Sequence, residues 1–480
     1  MSDAADAARS ASRSNRANLG NRANRANRAN QTDLADLADL AATVAGWSRD
    51  GEDVEVYVSR GTDTEVRIYD GEVESLSSAT SAGAGIRVVS GGRQGFAYTG
   101  ALDEDGLGET LEEARSNARF ASPEAWVGLP APDGAEPAEL DLWRDELATW
   151  PTQRKVDAAL DLEREVRHAD PRIRQVESAR WGDSSTEMAV ASSLGVKASD
   201  RSTSCYLAAV AVAGDGPESK VAHGYTVGRS PSELVPSRAA DDAVIRAVRM
   251  LGATKPRSAH LTVVLEPRVT AQILGLLGSV LSGERVLKGT SLFSDRLGEA
   301  VAAPLITLVD DPGVPAAWGA AAFDDEGLAC RRNVMIEAGF LRCFLYDSTA
   351  ARRAGTGSTA SAVRAGFKSA PGVGARAVQL QPGPLSPDEV LVQVGDGLLV
   401  QSITGMHSGV NAVSGDFSVG AEGLLVRGGE LAAPVRGLTV ASSIQRMLLG
   451  VSAVANDIEW LPSRAAGATV AISEMSMSGA

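Results

Sequence analysis

Short runs in which apolar and polar residues alternate are the feature that most constrains the fold of this 480-residue chain. Val54, Val56 and Val58 show the pattern, as do the apolar residues of segments 66–69 and 86–89. A period of two is typical of strands with one buried face, and the Gly and Asp residues between the runs favour turns. These runs are therefore predicted to be separate strands of an antiparallel or mixed sheet.

Helical patterns lie before and after these strands. Apolar residues recur at helical spacing in four segments, which are 34–47, 107–120, 151–168 and 234–251. Thr32 or Asp33 is a plausible cap for the first helix. A Pro-rich run over 122–136 is interpreted as a surface linker, and alternation returns over 173–207. These features predict an N-terminal α+β domain over residues 32–255.

The second half begins with a different pattern. A short apolar strand is predicted over 261–265, and a helix follows over 269–281. Beyond Gly283 the chain is rich in Gly and in strand-forming residues, so residues 256–480 are predicted to form a β-rich C-terminal domain. The predicted fold class is accordingly α+β. Residues 1–31 consist mainly of Ala, Ser, Asn and Arg, have little to bury, and are predicted to be a disordered extension.

Composition argues against several classes of function. The net charge of −15 argues against nucleic acid, because phosphate binding requires a clustered cationic surface. No apolar run is long enough to span a bilayer, so no membrane partner is predicted. The three cysteines, Cys205, Cys330 and Cys343, are widely spaced and odd in number, which favours a reducing compartment over a disulfide framework. A cytoplasmic protein is the expectation.

The common catalytic motifs are absent from the sequence. Gly83 and Gly85 lack the third glycine of a dinucleotide-binding loop, and neither a phosphate loop nor a Gly-x-Ser-x-Gly elbow occurs. The chain has four histidines, and none is followed by Glu, so a His-Glu zinc helix is absent as well. His168, His223 and His260 are interpreted as structural.

Two carboxylate runs remain as candidate metal ligands. Asp310 and Asp311 form one run, and Asp324 and Asp325 begin the other, which continues to Gly327. Carboxylate oxygens suit hard cations, so a metal-assisted hydrolase that uses these four aspartates stays open as an alternative. Asp and Gly also supply the side-chain hydrogen bonds and positive φ angles of turns, and turns are the favoured interpretation.

Residues 405–418 combine Gly, small and polar residues between apolar strands. Such a composition lets another backbone approach closely, which suits an extended peptide that binds as an added strand. A Gly-rich connection within a β domain explains the same composition equally well. The candidate substrate-binding residues in this segment are His407, Gly409, Asn411, Asp416, Phe417 and Ser418.

Several motifs resemble one protein family in their order and spacing. They are 70–74 (Asp-Gly-Glu-Val-Glu) and 95–99 (Gly-Phe-Ala-Tyr-Thr) in the first half, and 288–293 (Lys-Gly-Thr-Ser-Leu-Phe), 309–311 (Val-Asp-Asp), 323–327 (Phe-Asp-Asp-Glu-Gly) and 336–339 (Ile-Glu-Ala-Gly) in the second. With these motifs the chain resembles the TldD/PmbA peptidases over most of residues 50–478.

This resemblance implies a peptidase of two subunits. The TldD-type subunit carries His-Glu-x-x-x-His on the helix after the first strand of the C-terminal domain, and a cysteine near its C-terminus completes the metal site. The matching positions here are Leu274, Gly275 and Ser279, and no cysteine follows Cys343. The segment 415–418 (Gly-Asp-Phe-Ser) is similar to the PmbA (TldE) type of subunit. The resemblance therefore implies no cofactor in this chain and zinc in the partner.

The leading hypothesis is that the chain pairs with a TldD-type metallopeptidase subunit, covers its zinc and helps to hold an extended, unfolded peptide. No catalytic residue is assigned to the chain itself. The alternative from another class is a non-catalytic peptide-binding or regulatory protein that acts alone, and this alternative requires no partner.

Overall fold

The computed structural model of the chain describes residues 34–479. The extension predicted over residues 1–31 and the caps predicted at Thr32 and Asp33 lie outside the described residues. The described chain consists of two halves, each built around a six-stranded sheet. The α+β class predicted from the sequence is confirmed.

The first half is an antiparallel sheet of long strands. Its strands are β1 (Glu52–Tyr69), β2 (Glu72–Ser90), β3 (Arg93–Thr99), β4 (Ile173–Ser192), β5 (Lys197–Ala213) and β6 (Lys220–Gly228). They lie in the order β3-β2-β1-β4-β5-β6. The runs predicted as two strands over 54–58 and 66–69 are one strand, because residues 59–65 pair with β2 on one side and with β4 on the other. The two ladders satisfy the backbone there, so no turn forms at Gly61 or Asp63.

Helices cover one face of this sheet. They are α1 (Leu34–Ala45), α2 (Glu104–Phe120), α3 (Asp145–Ala148), α4 (Thr152–Ala169) and α5 (Pro236–Val248). α1 packs on β1 and β4, α2 on β2 and β3, α4 on β1, β4 and β5, and α5 on β5 and β6. Val54, Val56 and Val58 belong to the core under α1 and α2, whereas Val66 and Ile68 belong to the core under α4 and α5. Because side chains alternate along a strand, the even-numbered residues of β1 face the helices and the odd-numbered ones face the other way.

The other face of the sheet meets the second half. Gly83 and Gly85 of β2 lie directly against Phe367, and a Cβ atom at Gly85 would lie 2.3 Å from the Phe367 carbonyl oxygen. These glycines therefore allow a close approach between the halves, which explains their presence without any nucleotide. The extended segment 121–144 also bridges the halves, since Arg352 donates a hydrogen bond of 2.8 Å to the carbonyl of Trp126.

The second half is built on a closed ring of strands. Its strands are β7 (Ala259–Leu265), β8 (Leu308–Asp310), β9 (Asn333–Glu337), β10 (Phe340–Leu341), β11 (Ala362–Val363), β12 (Gly372–Val373), β13 (Val378–Leu380), β14 (Gly397–Thr404), β15 (Asp416–Arg427), β16 (Glu430–Ser443), β17 (Val451–Val454), β18 (Glu459–Trp460), β19 (Ala466–Gly467) and β20 (Val470–Ser478). The order is β16-β15-β14-β7-β20-β17, and a further pairing of β16 with β20 closes the ring. β7 and β14 are parallel, and the other pairs of the ring are antiparallel.

Six helices accompany this sheet. They are α6 (Pro267–Val280), α7 (Gly283–Leu287), α8 (Ser348–Ala354), α9 (Pro387–Val394), α10 (Met406–Gly409) and α11 (Ile444–Leu449). α6 corresponds to the helix predicted over 269–281, and it packs its apolar face into the largest core of the chain with Val263, Val400 and Val470. No helix among residues 34–479 is long and apolar enough to cross a membrane.

Candidate functional site

The helix that would carry a metal motif in the resembling family is α6. Leu274 is 3% exposed and packs into the core, whereas Gly275 and Ser279 face solvent. Leu274 borders a largely apolar cavity of about 40 Å³ that is also lined by Leu277, Met447 and further apolar side chains, together with Thr270. A hydrocarbon and a glycine supply no lone pair that could hold zinc, and the Ser279 hydroxyl is a poor zinc ligand. These positions therefore do not fit a metal site.

Other parts of the described chain offer no substitute for these ligands. Within residues 34–479, no group of three or more His, Cys, Asp and Glu residues converges in a way that could hold a metal ion. Cys205, Cys330 and Cys343 are free thiols, and burial raises the pKa of all three, to about 11 for Cys343. A raised pKa keeps a thiol protonated at neutral pH, so the cysteines are not activated nucleophiles.

The four candidate aspartates are engaged in turns and ion pairs. Asp310 accepts hydrogen bonds from the N–H groups of Arg376 (2.9 Å) and Ala377 (2.6 Å). Asp324 accepts from three backbone N–H groups, and its neighbour Asp325 pairs with the Arg376 guanidinium at 2.8 Å. Asp311 accepts from the N–H of Gly313 at 3.1 Å. Each of the four carboxylates thus accepts hydrogen bonds or pairs with an arginine, and the turn interpretation explains them without a cation.

A buried cluster of charges surrounds these aspartates. Arg87 of β2 contacts Glu55 of β1 at 2.5 Å and Glu326 of the second half at 2.8 Å. Arg364 of the second half also pairs with Glu55 and donates its N–H to Asp325 at 2.6 Å. The ionic side chains of Glu55, Arg87, Glu326 and Arg364 are each at most 2% exposed. The cluster therefore joins the two halves through charges that are removed from water.

Burial also shifts the acidity of carboxyl groups in and beside this cluster. Burial is the largest cause that raises the pKa of Asp324, and the neighbouring Glu326 raises it further. The pKa of Asp347, the cap residue of α8, is raised to about 6, mainly by burial and also by Glu326. By contrast, the arginines Arg87 and Arg364 keep the pKa of the fully buried Glu55 below its ordinary value. A shifted pKa is common at functional sites, but here each shift has a structural cause in the contact between the halves.

The predicted substrate-binding residues lie on and after α10, at the end of the ring of strands. The side chain of Asn411 accepts hydrogen bonds from the N–H groups of Val413 and Ser414, which forms a tight turn. The Ser414 hydroxyl donates to the Asp416 carboxylate at 2.6 Å, and the N–H of Asn411 donates to the Asp416 carbonyl at 2.9 Å. The segment is therefore closed by its own hydrogen bonds.

The structure separates these predicted residues into two groups. His407, Asn411, Asp416 and Ser418 are exposed and lie close together in the chain. Phe417 is 3% exposed and belongs to the core of the second half, so its ring is not available to a substrate. A Cβ atom at Gly409 would lie 1.9 Å from the Ser418 carbonyl oxygen, and Val410 forms a bridge to Phe417. The edge of β15 at this point is thus covered by the chain itself, and a peptide would meet only the exposed side chains.

Sequence reasoning missed the charge cluster between the halves. Glu55 and Arg87 lie on strands whose neighbouring residues are apolar, on the face that does not contact helices. A charged residue in the middle of such a run was the available signal, because charges within a buried strand require partners. The identity of the partners depends on the other half of the chain and cannot be read locally.

Comparison with known proteins places this architecture in a class. Family models described as PmbA/TldA metallopeptidase domain 1, central domain and C-terminal domain match residues 54–118, 145–251 and 258–479. All three describe parts of a metallopeptidase. The chain belongs to this PmbA/TldD family.

Named relatives come from both branches of the family. The metalloprotease PmbA of Escherichia coli O157:H7 is 27% identical over 91% of this chain and 94% of the relative. A metalloprotease TldD homologue of Buchnera aphidicola is 25% identical over 79% of this chain and 80% of the relative.

Two solved structures share the fold. A protein of Thermotoga maritima, described as a proposed modulator of a DNA gyrase, matches with a TM-score of 0.85 and 23% identity over 93% of this chain and all of that one. TldE of Thermococcus kodakarensis matches with a TM-score of 0.80 and 23% identity over 89% of this chain and 97% of that one.

Proposed function

We propose that this chain is the metal-free subunit of a two-component TldD/TldE-type metallopeptidase that cleaves unfolded or extended peptides in the cytoplasm. The observation that carries the proposal is the chemistry at the family's motif positions, where Leu274, Gly275 and Ser279 stand. Leu274 is packed as a core residue, so the helix is built for stability here and not for ligation. The lack of a ligand set at these positions in a member of a metallopeptidase family supports a partner that carries one.

In this proposal the TldD-type partner supplies zinc, which activates water and polarises the peptide carbonyl when bound there. The residues of the present chain bind and orient the peptide and keep solvent out. His407, Asn411, Asp416 and Ser418 are the side chains of the 405–418 segment that are free to contact it, since they are exposed. Phe417 is buried beneath this surface, and Gly409 packs against the carbonyl of Ser418.

The first test compares three samples: this chain, a TldD-type chain, and the mixture. We expect the isolated chain to contain no stoichiometric zinc by elemental analysis, and we expect an unstructured peptide to be cleaved only by the mixture. A chelator should abolish that cleavage. One tightly held zinc per copy of this chain would contradict the proposal.

A matched variant sharpens the result. Ser279→Ala removes the only polar side chain at the motif positions, and Ser279 is exposed, so folding is preserved. We expect the mixture to cleave peptide at an unchanged rate with this variant. A chain that neither associates with a TldD-type chain nor enables cleavage in the mixture would favour the regulatory alternative.

A further inference from the structure

The long strand β2 has one side that is only partly covered. It runs over Glu72–Ser90, but β3 pairs only with its last part, from Ala84 onward. Among residues 34–479, no strand pairs with the outer side of residues 72–82, although their inner side pairs with β1 on both sides of a bulge at Glu74. A strand edge of this kind presents a row of unpaired N–H and C=O groups that another extended chain can use.

This edge also lacks the usual features that prevent pairing. Residues 75–82 (Ser-Leu-Ser-Ser-Ala-Thr-Ser-Ala) contain no Pro and no charged residue, and all but the half-buried Leu76 and Ala82 are exposed to solvent. Glu72 and Glu74 stand only at its beginning. Natural proteins commonly protect exposed edges with Lys, Pro or bulges. A bulge occurs at Glu74, but residues 75–82 pair with β1 in regular register and carry neither charge nor Pro, which is typical of an edge that can receive a partner.

The open face beside this edge has the shape of a groove. Ser77 and Ala79 lie directly opposite Glu65 and Asp63 of β1, on the face that carries no helices. The groove continues across β4 and β5 to Tyr206, is bounded by Trp318 of the second half, and has a volume of about 320 Å³. Its wall nearest to the edge is low, because Ser77 and Ala79 have short side chains.

The charge of the groove is negative next to the edge. Asp63 is exposed and forms no ion pair with any residue of the described chain. Glu65 has one distant partner, Arg180, at 3.8 Å. Asp183 lies opposite Thr64 and pairs with Lys155 of helix α4 at 2.8 Å, so its carboxylate is on the helix-covered face. An uncompensated carboxylate therefore remains at Asp63, where a cation can approach it.

We infer that residues 74–82 of β2 bind an extended peptide as an added strand, and that a Lys or Arg side chain of this peptide reaches Asp63 and Glu65. Neighbouring strands lie about 4.8 Å apart, so an added strand would lie about 10 Å from β1. A long basic side chain spans that distance across the short Ser77 and Ala79. The peptide backbone then satisfies the free edge, and the carboxylates select for a positive charge.

A second copy of this chain is a weaker occupant of the same edge. It would bring the same carboxylates together, and each chain carries a net charge of −15. The inference rests on the proposed function only for the origin of the peptide. Its test uses the isolated chain without the TldD-type partner, so a failure to bind and a failure to cleave are separate results.

The test measures binding of a short labelled peptide of alternating Thr and Lys to the full chain by fluorescence anisotropy. One control peptide alternates Thr and Glu. The other two controls are Thr-Lys peptides with methylated backbone nitrogens, one methylated at every Thr and the other at every Lys. We expect the Lys peptide to bind and the Glu peptide to bind more weakly. Alternate N–H groups of a strand point to its two opposite edges. Only one edge of the peptide pairs with β2, so the peptide that is methylated along that edge should fail to bind.

Variants locate the site. Asp63→Asn and Glu65→Gln should each weaken binding of the Lys peptide by about threefold, as expected for an exposed ion pair. Ser77→Arg should reduce the preference for the Lys peptide, because its guanidinium lies opposite Glu65 and compensates part of the negative charge. Glu109→Gln, an exposed change on α2, serves as the matched control and should leave binding unchanged.

Three results would overturn the inference. The first is equal binding of the Lys and Glu peptides, and the second is full binding of both methylated peptides. The third is a sedimenting dimer of the chain that Ser77→Arg converts to a monomer, because the edge would then belong to a second copy. Circular dichroism of each variant verifies that a loss of binding is not a loss of fold.

Discussion

Arg87 and Glu326 hold the two halves of the chain together through a buried ion pair of 2.8 Å. Arg87 stands on β2 of the first sheet, and Glu326 lies in a turn of the second half, 239 residues later in the chain. Glu326 also accepts hydrogen bonds from the N–H and the hydroxyl of Ser348, so both of its oxygens are occupied. Burying two charges is favourable only when such partners are complete.

The first prediction concerns the removal of this arginine. Arg87→Met leaves Glu55 and Glu326 buried without their shared partner, and we expect the free energy of unfolding to fall by about 3–5 kcal/mol. The measurement is urea unfolding followed by tryptophan fluorescence. Arg296→Met breaks an exposed pair with Glu299 and should cost about 0.5 kcal/mol or less. Equal effects of the two changes would show that the buried cluster does not hold the halves together.

The second prediction concerns the dependence of stability on pH. The pKa of Asp347 is raised from 3.8 to about 6. The stability linked to this carboxyl group is therefore fully present below about pH 4 and is lost as the pH rises through about 6. A shift of this size corresponds to roughly 3 kcal/mol at neutral pH.

Asp347→Asn tests this dependence, because the amide oxygen can still accept the N–H of Ala350, as the carboxylate does at 2.7 Å. We expect the stability of the variant relative to the parent to rise between pH 4 and pH 6 and then to level off. Urea unfolding across this pH range measures the difference. The exposed Asp388→Asn is the control. A constant difference between Asp347→Asn and the parent would contradict the prediction.

Periodic patterns predicted those elements that depend on local residues. The apolar face of α6 and the strand before it were predicted from Val263, Leu274 and their neighbours, because an apolar stripe must be buried in any fold. The polar middle of β1, around Gly61 and Asp63, was wrongly predicted as a turn. It is a strand because β2 and β4 supply hydrogen bonds from residues distant in sequence, and local propensity cannot represent them.

The candidate site shows the same division. The residue types at Leu274, Gly275 and Ser279 can be read from the sequence. The lack of metal ligands there was therefore predicted from the spacing of the family's motif without the structure. The burial of Phe417 and the covering of Gly409 by the Ser418 carbonyl are not legible in the sequence, since both depend on how α10 folds back on β15. The free edge of β2 is equally invisible, because it exists only where β3 ends early.

The third prediction separates folding from peptide contact in the 405–418 segment. A side chain at Gly409 would collide with the Ser418 carbonyl, so Gly409→Val should lower stability by about 1–3 kcal/mol in the isolated chain. Thermal unfolding measures this loss. Any effect of Gly409→Val on cleavage would then reflect a disturbed loop and not a blocked peptide.

The exposed members of the segment give the cleaner experiment. His407→Ala and Ser418→Ala remove side chains that face solvent, so the fold should be unchanged. In the mixture with a TldD-type chain, we expect each to slow peptide cleavage by about threefold to tenfold, which is the loss of one polar contact. Glu430→Gln, an exposed change at the far end of the neighbouring hairpin, is the control. Unchanged cleavage by both variants would show that the segment is only a connection.

The last prediction concerns the two faces of α6 at adjacent positions. Gly275 is exposed within the helix, and a Cβ atom there would meet nothing within 4 Å. Alanine loses less backbone entropy than glycine on folding, so Gly275→Ala should stabilise the chain by about 0.5–1 kcal/mol.

Leu274→His should do the opposite and cost about 2–4 kcal/mol, because it removes packing and places an imidazole against an apolar cavity. Urea unfolding of both variants, with and without zinc, measures the difference. Zinc should not restore the stability of Leu274→His, since Gly275 and Ser279 provide no further ligand of the type that zinc prefers. A stable Leu274→His chain would mean that α6 is not packed as a core helix, and the assignment of this chain as the metal-free subunit would lose its structural basis.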